Sequence, residues 1–334
     1  MATIKDVAAR AGVSYTTVSH VLNETRPVRA STRERVLAAA RDLRYVPSQV
    51  ARSLKQQVTA TIGLVVPNSY NPYFAELARG VEDGCFRAGR SAVVCSTDAL
   101  PERQVSALAF LHQRRVDGII VASPVQDPAL LLALQQASCP LVIADRELAG
   151  IASDLVQVDN ELGGLLAAQH LVALGHRRLG CITGPSGVDV SQGRLHGFRR
   201  GLGEAGLSLP DEAIRAGDFT TPSAHRLARE LLGARLGLTG LFVQNDLMAV
   251  AALRAAGELG LRVPEELSVV GFDDIELARY LFPALTTVGA PIRELGEVAA
   301  ATMLARIEHR DAPRRWVKVR PVLHARESSG PAPA

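Results

Sequence analysis

From Thr61 onward the chain repeats one pattern: a short, β-rich apolar run, then a stretch with apolar residues at helical spacing. Eight such runs stand at 61–66, 91–96, 118–123, 141–145, 155–159, 178–183, 240–245 and 267–272, with amphipathic segments such as Phe74–Ala88 and Gln104–Gln113 between them. Alternation of this kind predicts parallel sheets with right-handed crossovers, an α/β body. In open sheets of that type ligands sit beyond the carboxyl ends of the strands, and those ends are where polar residues cluster in this sequence.

The first sixty residues break the pattern. Ile4, Val7, Ala8 and Ala11 recur at helical spacing, Gly12 supplies a left-handed helix end, and Ser14 is a suitable N-cap for a second short helix from Tyr15 to Leu22. Val18, Val21 and Leu22 point back at the first helix. A third helix, from Thr32 to about Leu43, brings Val36, Leu37, Ala40 and Leu43 to close a three-helix core. Two short helices around a glycine turn form a helix-turn-helix, whose second helix is the one shaped to enter a DNA major groove. Its outward face carries Tyr15, Thr16, Thr17 and His20, each with a group that hydrogen-bonds a base edge or a phosphate.

Charge separates the same two regions. Residues 1–58 hold ten Lys or Arg against four acids, a net of +6, whereas the whole chain is +3, which leaves −3 on the remainder. A basic head on a mildly acidic body is the electrostatic footprint of a DNA reader. Tyr45-Val46-Pro47 ends the third helix, because proline disfavours helix in the residue before it. Ser48 then caps a short segment, Gln49 to about Gln56, with Val50, Ala51 and Leu54 on one side. That segment is too short to be stable alone in water, so it is expected to order only against a partner.

At 334 residues the chain exceeds one ordinary core and suits a small head with two larger lobes. No apolar run reaches the length of a membrane span, and the amino terminus carries no signal-peptide core, so a cytoplasmic location is expected. Cys85, Cys95, Cys139 and Cys181 are widely spaced without a CxxC pair, which reads as free thiols rather than disulfides or zinc. The tail SSGPAPA, 328–334, is small and Pro-rich and is expected to be loose. It lacks leucine heptads, so a dimer is expected rather than a coiled-coil tetramer.

TIKDVAARAGVSYTTVSHVLN, followed by RVLAAARDLRYVPSQVARSLK, closely resembles the amino-terminal domain of the lactose/galactose-repressor family of bacterial transcription regulators. The resemblance continues through IGLVVPNSYNPYFAELARGVE, RRVDGIIVAS, VQVDNELGG, LGHRRLGCITGP, FVQNDLMAVAAL, LRVPEELSVVGFDDIELARY and PALTTVGAP, and so covers nearly the whole chain. It implies a helix-turn-helix domain at 1–46, a hinge helix at 47–58, and an effector-binding and dimerisation body at 59–327. The body would have the two-lobed fold of periplasmic sugar-binding proteins. One lobe would hold about 60–160 and 289–320, the other about 161–288 and 321–327. In the family the hinge helix pairs with its dimer mate in the minor groove and wedges a leucine between central base pairs. Leu54 matches that leucine, and Ala51 and Lys55 match its neighbours. Thr3 and Arg26 are expected to meet phosphates or nearby edges.

The resemblance also implies a ligand cleft between the lobes, and strand-end residues converge on it. Tyr73 and Phe74 open a helix directly after the first strand, where their rings face the cleft mouth. Asp145-Arg146 ends the fourth run, Arg194 sits in SQGRLHGF, Phe219 follows Gly217-Asp218, Asn245-Asp246 ends FVQND, and Asp273 ends VVGFD. A guanidinium grips ligand oxygens and a carboxylate accepts paired hydroxyls or ring N–H groups. Asp246 and Asp274 are expected to cap helices instead. Several stretches look most like the purine-responsive members of the family. Those members keep an arginine and a threonine just upstream of the position matched by Arg194, where this sequence has Val188 and Val190. A buried base edge without partners is penalised heavily, so a sugar or polyol effector is expected, with a purine or nucleoside as the alternative.

Other readings fail on context. Gly201 to Gly206 spells GxGxxG but follows a helical stretch, whereas a dinucleotide loop follows a strand. Ser191 lacks a nucleophile-elbow frame, and the eight histidines are scattered without ligand spacing, His170 and His176 reading as packed or capping residues. No enzyme, cofactor or metal site is expected. A transport-type binding protein would share the lobes but lack the head. The expected partners are double-stranded operator DNA, a small-molecule effector and a second copy of the chain, with no membrane.

Overall fold

The computed structural model describes residues 2–23, 26–45, 58–123 and 125–333, and the chain falls into two units, Met1–Thr59 and Ala60–Ala334. In the first unit, α1 (Ile4–Ala11), α2 (Tyr15–Asn23) and α3 (Ala30–Asp42) surround a core of Val7, Ala8, Ala11, Val18, Val21 and Val36. Thr3 and Asp6 cap α1 reciprocally: Thr3 Oγ1 accepts from the Asp6 amide while the Thr3 amide donates to Asp6 Oδ2 at 2.8 Å. Gly12, at φ 63°, turns the chain out of α1. Ser14 Oγ then accepts from the Thr17 amide at 3.2 Å and so satisfies a free donor at the start of α2. Ala51, Leu54 and Lys55 lie outside the described residues.

The second unit holds two six-stranded sheets. The first contains β1 (Thr61–Val66), β2 (Ser91–Ser96), β3 (Gly118–Ala122), β4 (Leu141–Ala144), β5 (Asp154–Val158) and β11 (Trp316–Val319), in the order β11-β5-β4-β3-β1-β2 and all parallel. The second contains β6 (Leu179–Thr183), β7 (Ile214–Ala216), β8 (Gly240–Val243), β9 (Ser268–Phe272), β10 (Thr286–Gly289) and β12 (Val322–His324), in the order β12-β10-β9-β8-β6-β7. Among the described residues only β12 runs antiparallel, against β10. The chain passes between the sheets at Asp159–Asn160, Ala290–Pro291 and Arg320–Pro321.

Helices flank both sheets: α4 (Pro72–Arg87), α5 (Pro101–Gln113), α6 (Pro128–Gln135) and α11 (Ile292–Glu308) go with the first, and α7 (Asn160–Ala173), α8 (Asp189–Glu204), α9 (Thr221–Gly233) and α10 (Asp246–Glu258) with the second. Each lobe contains one helix pair pressed backbone to backbone. A Cβ on Gly164 of α7 would stand 1.9 Å from the Arg194 carbonyl of α8, and one on Gly80 of α4 would stand 2.0 Å from the Arg293 carbonyl of α11. Glycine is required at both crossings for that reason.

The eight expected strands are present within a residue or two of their predicted ends, and β7, β10, β11 and β12 are additional. Each addition is three or four residues long, and three of them are sheet edges, so none carries enough period to announce itself. The carboxyl-terminal tail differs from expectation. Ser328 is fully buried, its hydroxyl donating to the Val269 carbonyl at 2.7 Å while the Val269 amide donates to the Ser328 carbonyl at 2.7 Å. Farther along, the Gly330 carbonyl accepts from His176 Nε2 at 3.0 Å and the Ala332 amide donates to the Leu174 carbonyl at 2.8 Å. Small residues let the tail lie flush against the second sheet, where its backbone finds partners; low hydrophobicity had suggested the reverse.

Candidate functional site

In the second unit the carboxyl ends of both sheets line one cavity of about 380 Å³. All eight residues expected there line it: Tyr73, Phe74, Asp145 and Arg146 from the first lobe, and Arg194, Phe219, Asn245 and Asp273 from the second. A volume of this size suits a small ring and little more, near the low end of the roughly 300–1,000 Å³ usual for ligand sites.

The first-lobe half is built on Asp145, which follows β4 in the left-handed region at φ 69°. Its Oδ1 accepts from the Tyr73 hydroxyl at 2.6 Å, and its Oδ2 accepts from Ser123 Oγ. Tyr73 is placed by the start of α4, where Asn71 caps the helix and Pro72 holds its first turn. Burial first, and then the Asp145 and Asp273 carboxylates, push the Tyr73 phenol well above its ordinary value, so it stays protonated and donates. Tyr73 is only 5% exposed and meets Phe74 edge to face at 5.1 Å. The expectation of two stacking rings at the mouth is therefore halved: Phe74 and Phe219 are half-buried on the wall, while Tyr73 serves Asp145.

The second-lobe half is built on Arg194. Its Nε donates to Asn160 Oδ1 at 2.8 Å, its Nη1 donates to the Gln244 carbonyl, and its Nη2 lies 3.6 Å from Asp273 Oδ1. The guanidinium carbon sits 3.7 Å from the Phe272 ring centroid. The Gly164 crossing holds the Arg194 backbone, so this fork is fixed from both ends. Asp273 follows β9 at φ 114°, a rare conformation for a residue with a side chain, and burial raises its carboxyl to about 7 against the pull of Arg194. Phe219 is also left-handed, at φ 67°.

Two expectations about neighbouring acids are corrected. Asn245 caps α10, its Oδ1 accepting from the Met248 amide at 2.7 Å, while also lining the cavity. Asp246 instead accepts from Thr287 Oγ1 at 2.6 Å and the Ile275 amide at 2.9 Å, and Asp274 pairs with Arg326, Arg279 and His324. Asp246 is the first residue of α10, but its carboxylate is taken by Thr287 and the Ile275 amide, and that of Asp274 by ion pairs, so it is Asn245 that caps α10. Sequence reasoning missed Ser123, Asn160 and Gln244. Each ends or follows a strand in a motif already singled out (GIIVAS, VQVDN, FVQND), so the strand-end rule would have found them. His176 is buried, with Nδ1 3.0 Å from Thr239 Oγ1 and Nε2 2.9 Å from Ser268 Oγ, a packed histidine.

In the head, Tyr15 is 62% exposed on α2, and Thr16 is exposed beside it. His20 is half-buried, and Arg26 is exposed. Thr17 is otherwise engaged: its hydroxyl lies 2.9 Å from Ser14 Oγ, so it sets the helix start. Thr3 Oγ1 likewise donates to Asp6 Oδ2 at 2.8 Å within the capping box.

A profile of bacterial regulatory proteins of the lacI family matches residues 3–48, and one of periplasmic binding protein-like domains matches 168–329. The HTH-type transcriptional repressor PurR of Photobacterium profundum is 41% identical over 329 residues, covering 98% of each chain. The chain belongs to the LacI family. Among solved structures, the lac repressor dimer bound to operator and the anti-inducer ONPF superposes at a TM-score of 0.88, with 30% identity over 98% of this chain and 99% of that one. A complex of the transcriptional regulator CelR with cellobiose matches at 0.75, with 32% identity over 98% and 100%. This LacI-family member is thus a DNA-binding transcriptional repressor with an effector body, and it is not an enzyme. Among the described residues no His, Cys, Asp or Glu group is arranged to hold a metal ion, and no helix is long and apolar enough to cross a membrane.

Proposed function

We propose that this repressor binds a near-palindromic operator as a dimer and answers to a neutral, polyhydroxylated effector, a monosaccharide or related polyol. The observation that carries the effector class is the charge of the cavity. Four carboxylates line it (Asp98, Asp145, Asp218, Asp273) against two guanidiniums, Arg146 and Arg194. Asp98 is paired with Arg103 and the Asp273 carboxyl is raised to about 7, so the lining offers an anionic ligand no net positive charge, whereas paired hydroxyls find carboxyl acceptors on both lobes. Val190, buried on the wall, offers a purine edge no hydrogen bond. The solved neighbour that holds cellobiose, a disaccharide, supports a sugar-type effector in general, and the volume of about 380 Å³ favours a single ring.

A purine effector is the second reading. It is favoured by the relatives named PurR, a name that points to purines, and by Phe74 and Phe219 facing one cavity from opposite lobes. Calorimetry of the full chain with D-ribose, D-glucose, ribitol, hypoxanthine and guanine separates the two: binding by a purine base alone sinks the sugar reading.

In this proposal the head is 1–46, the hinge 47–58 and the effector body 59–327. Tyr15, Thr16 and His20 read the major groove, Arg26 meets phosphate, and Leu54 wedges the centre of the operator with Ala51 and Lys55 beside it. Effector in the cleft changes the angle between lobes and releases the operator, a coupling typically worth about 1–3 kcal/mol and necessarily reciprocal. Leu54→Ala is expected to weaken operator binding in an anisotropy titration and to leave effector affinity as it was. Unchanged operator affinity removes the wedge.

A further inference from the structure

A second cavity, of about 480 Å³, opens at the amino ends of the first sheet, the end away from the effector cavity. Its wall includes Leu141 and Asp154, the first residues of β4 and β5, and Arg306, Arg310 and Arg314 from the end of α11 and the loop after it. The stretch 306–320 holds six Lys or Arg against two acids, on a body whose net charge is −3. Asp154 and Arg306 build the loop. Asp154 is 2% exposed, and Arg306 meets it with two parallel bonds, Nε to Oδ2 and Nη2 to Oδ1, both at 2.8 Å. The other Arg306 donors go to loop carbonyls: Nη1 to Arg310 at 3.0 Å and Ala312 at 2.6 Å, and Nη2 to Pro313 at 2.9 Å. A guanidinium has five N–H donors, so Arg306 is wholly spent on structure. The Arg315 amide closes the loop on Asp154 Oδ1 at 2.7 Å. Burial would raise the Asp154 carboxyl, but the Arg306 and Arg315 bonds outweigh it and hold the carboxyl below its ordinary value. The charge of this acid is thus cancelled inside the scaffold.

Arg310 and Arg314 are left over. Both are exposed, both line the cavity, and among the described residues neither makes an ion pair. They stand close in space, because the carbonyls of 310, 312 and 313 all converge on the one Arg306 guanidinium. The Arg310 charge reaches Cys139 on the same wall: burial raises that thiol, while its own backbone and Arg310 oppose the rise. Glu308 and Asp311 belong to the same stretch but do not line the cavity. Whereas the effector cavity sets carboxyls against its arginines, this one leaves two guanidiniums unanswered. Such a pair fits a group with several anionic oxygens and forked acceptor geometry. A phosphate monoester carries close to two charges at neutral pH and meets both arginines, whereas a lone carboxylate neutralises only one. We propose that Arg310 and Arg314 form a binding site for the phosphate group of a small phosphorylated molecule, at the end of the first lobe away from the effector cavity. The site is independent of the polyol reading. Its concave shape, closed on one side by the segments before β4 and β5, suits a small molecule better than the convex backbone of a duplex.

The site is tested by calorimetry on the full chain with pyrophosphate in a chloride buffer of low ionic strength, using wild type, Arg310→Gln, Arg314→Gln and Arg235→Gln. Arg235 is exposed and does not line the cavity, so its variant loses the same charge elsewhere. Because Arg310 and Arg314 are exposed and unpaired, their variants are expected to fold, which far-UV circular dichroism and melting temperature check. The expected result is binding by wild type and Arg235→Gln alike, with a loss of about fivefold or more in each cavity variant. Added salt weakens the binding, as it does for any exposed charge contact. Failure of wild type to bind pyrophosphate overturns the site, and so does a loss in either cavity variant no larger than that of Arg235→Gln. A parallel anisotropy titration with a duplex of random sequence separates the other source of phosphate. If the cavity variants lose affinity for the duplex while wild type ignores pyrophosphate, the two arginines serve the DNA backbone and the small-molecule site is overturned.

Discussion

The two halves of the cleft solve the same problem in opposite ways. In the second lobe a buried cation is surrounded by finished partners: Arg194 has an amide oxygen, a carbonyl, a carboxylate and an aromatic face. In the first lobe a buried anion is held by two neutral hydroxyls, Tyr73 and Ser123. A carboxylate has about four lone-pair sites and a guanidinium five N–H donors, of which Arg194 gives one to Asn160 and one to the Gln244 carbonyl, so both halves keep polar capacity for a ligand. The second lobe differs in that its charged group is anchored from several directions at once, which makes it the fixed reference against which a ligand is placed.

The largest test of that contrast is Arg194→Ala. It leaves Asp273, Asn160 and the Gln244 carbonyl facing an empty space, and truncating one member of a buried charged pair costs about 3–5 kcal/mol. Urea unfolding is expected to show a loss of that order, and a loss below about 1 kcal/mol would mean that the network is ornamental.

Next comes pH. The Asp273 carboxyl is raised from 3.8 to about 7 by burial, so between those values the folded chain binds more protons than the unfolded chain. Stability then falls as pH rises from about 4 through about 7. Asp273→Asn, neutral throughout, is expected to remove that component, and melting temperatures taken in steps across this range should diverge steadily between variant and wild type. The second lobe also contains an opposing slope: burial lowers the His176 imidazole from 6.5, so it stays neutral when the unfolded chain protonates, and stability from this group is lost as pH falls below that value. Parallel melting curves for the two proteins would break the assignment.

Smaller effects are expected in the first lobe. Tyr73→Phe removes one donor from Asp145 and is expected to cost about 1.5–3 kcal/mol by denaturant unfolding, the range for a hydrogen bond to a charged group. Ser123→Ala removes the other and is expected to cost no more than Tyr73→Phe, since a water fits where the small hydroxyl was. If either exceeded Arg194→Ala, the roles given to the two halves would be reversed.

How much of this was legible in the sequence follows from what each feature depends on. Strand runs such as TIGLVV announce themselves because parallel strands are apolar on both faces; Asp145, Arg146, Asn245 and Asp273 stand where such runs change from apolar to polar, whereas Arg194, inside α8, is legible only through the family resemblance. Left-handed backbone at Asp145, Phe219 and Asp273 leaves no such mark, since these residues occupy that region only when tertiary contacts hold them there. The division of labour between Asn245 and Asp246 was hidden for a related reason: both residue types cap helices, and only the position of Thr287 and Ile275 on another part of the chain decides which one does. The tail was misjudged because its composition describes side chains, while its attachment is made almost wholly by backbone and hydroxyl groups.

The glycine contacts at the helix crossings bear on how such a molecule can move. Where main chain touches main chain there are no side-chain tips to bend or rotate, so α4 with α11, and α7 with α8, have nothing to slide upon. Each lobe behaves as one solid piece, and any rearrangement in the body is delivered to the three short passages at Asp159–Asn160, Ala290–Pro291 and Arg320–Pro321. A methyl group added at Gly164 would therefore be felt first as a shifted Arg194, and only afterwards as a weaker core.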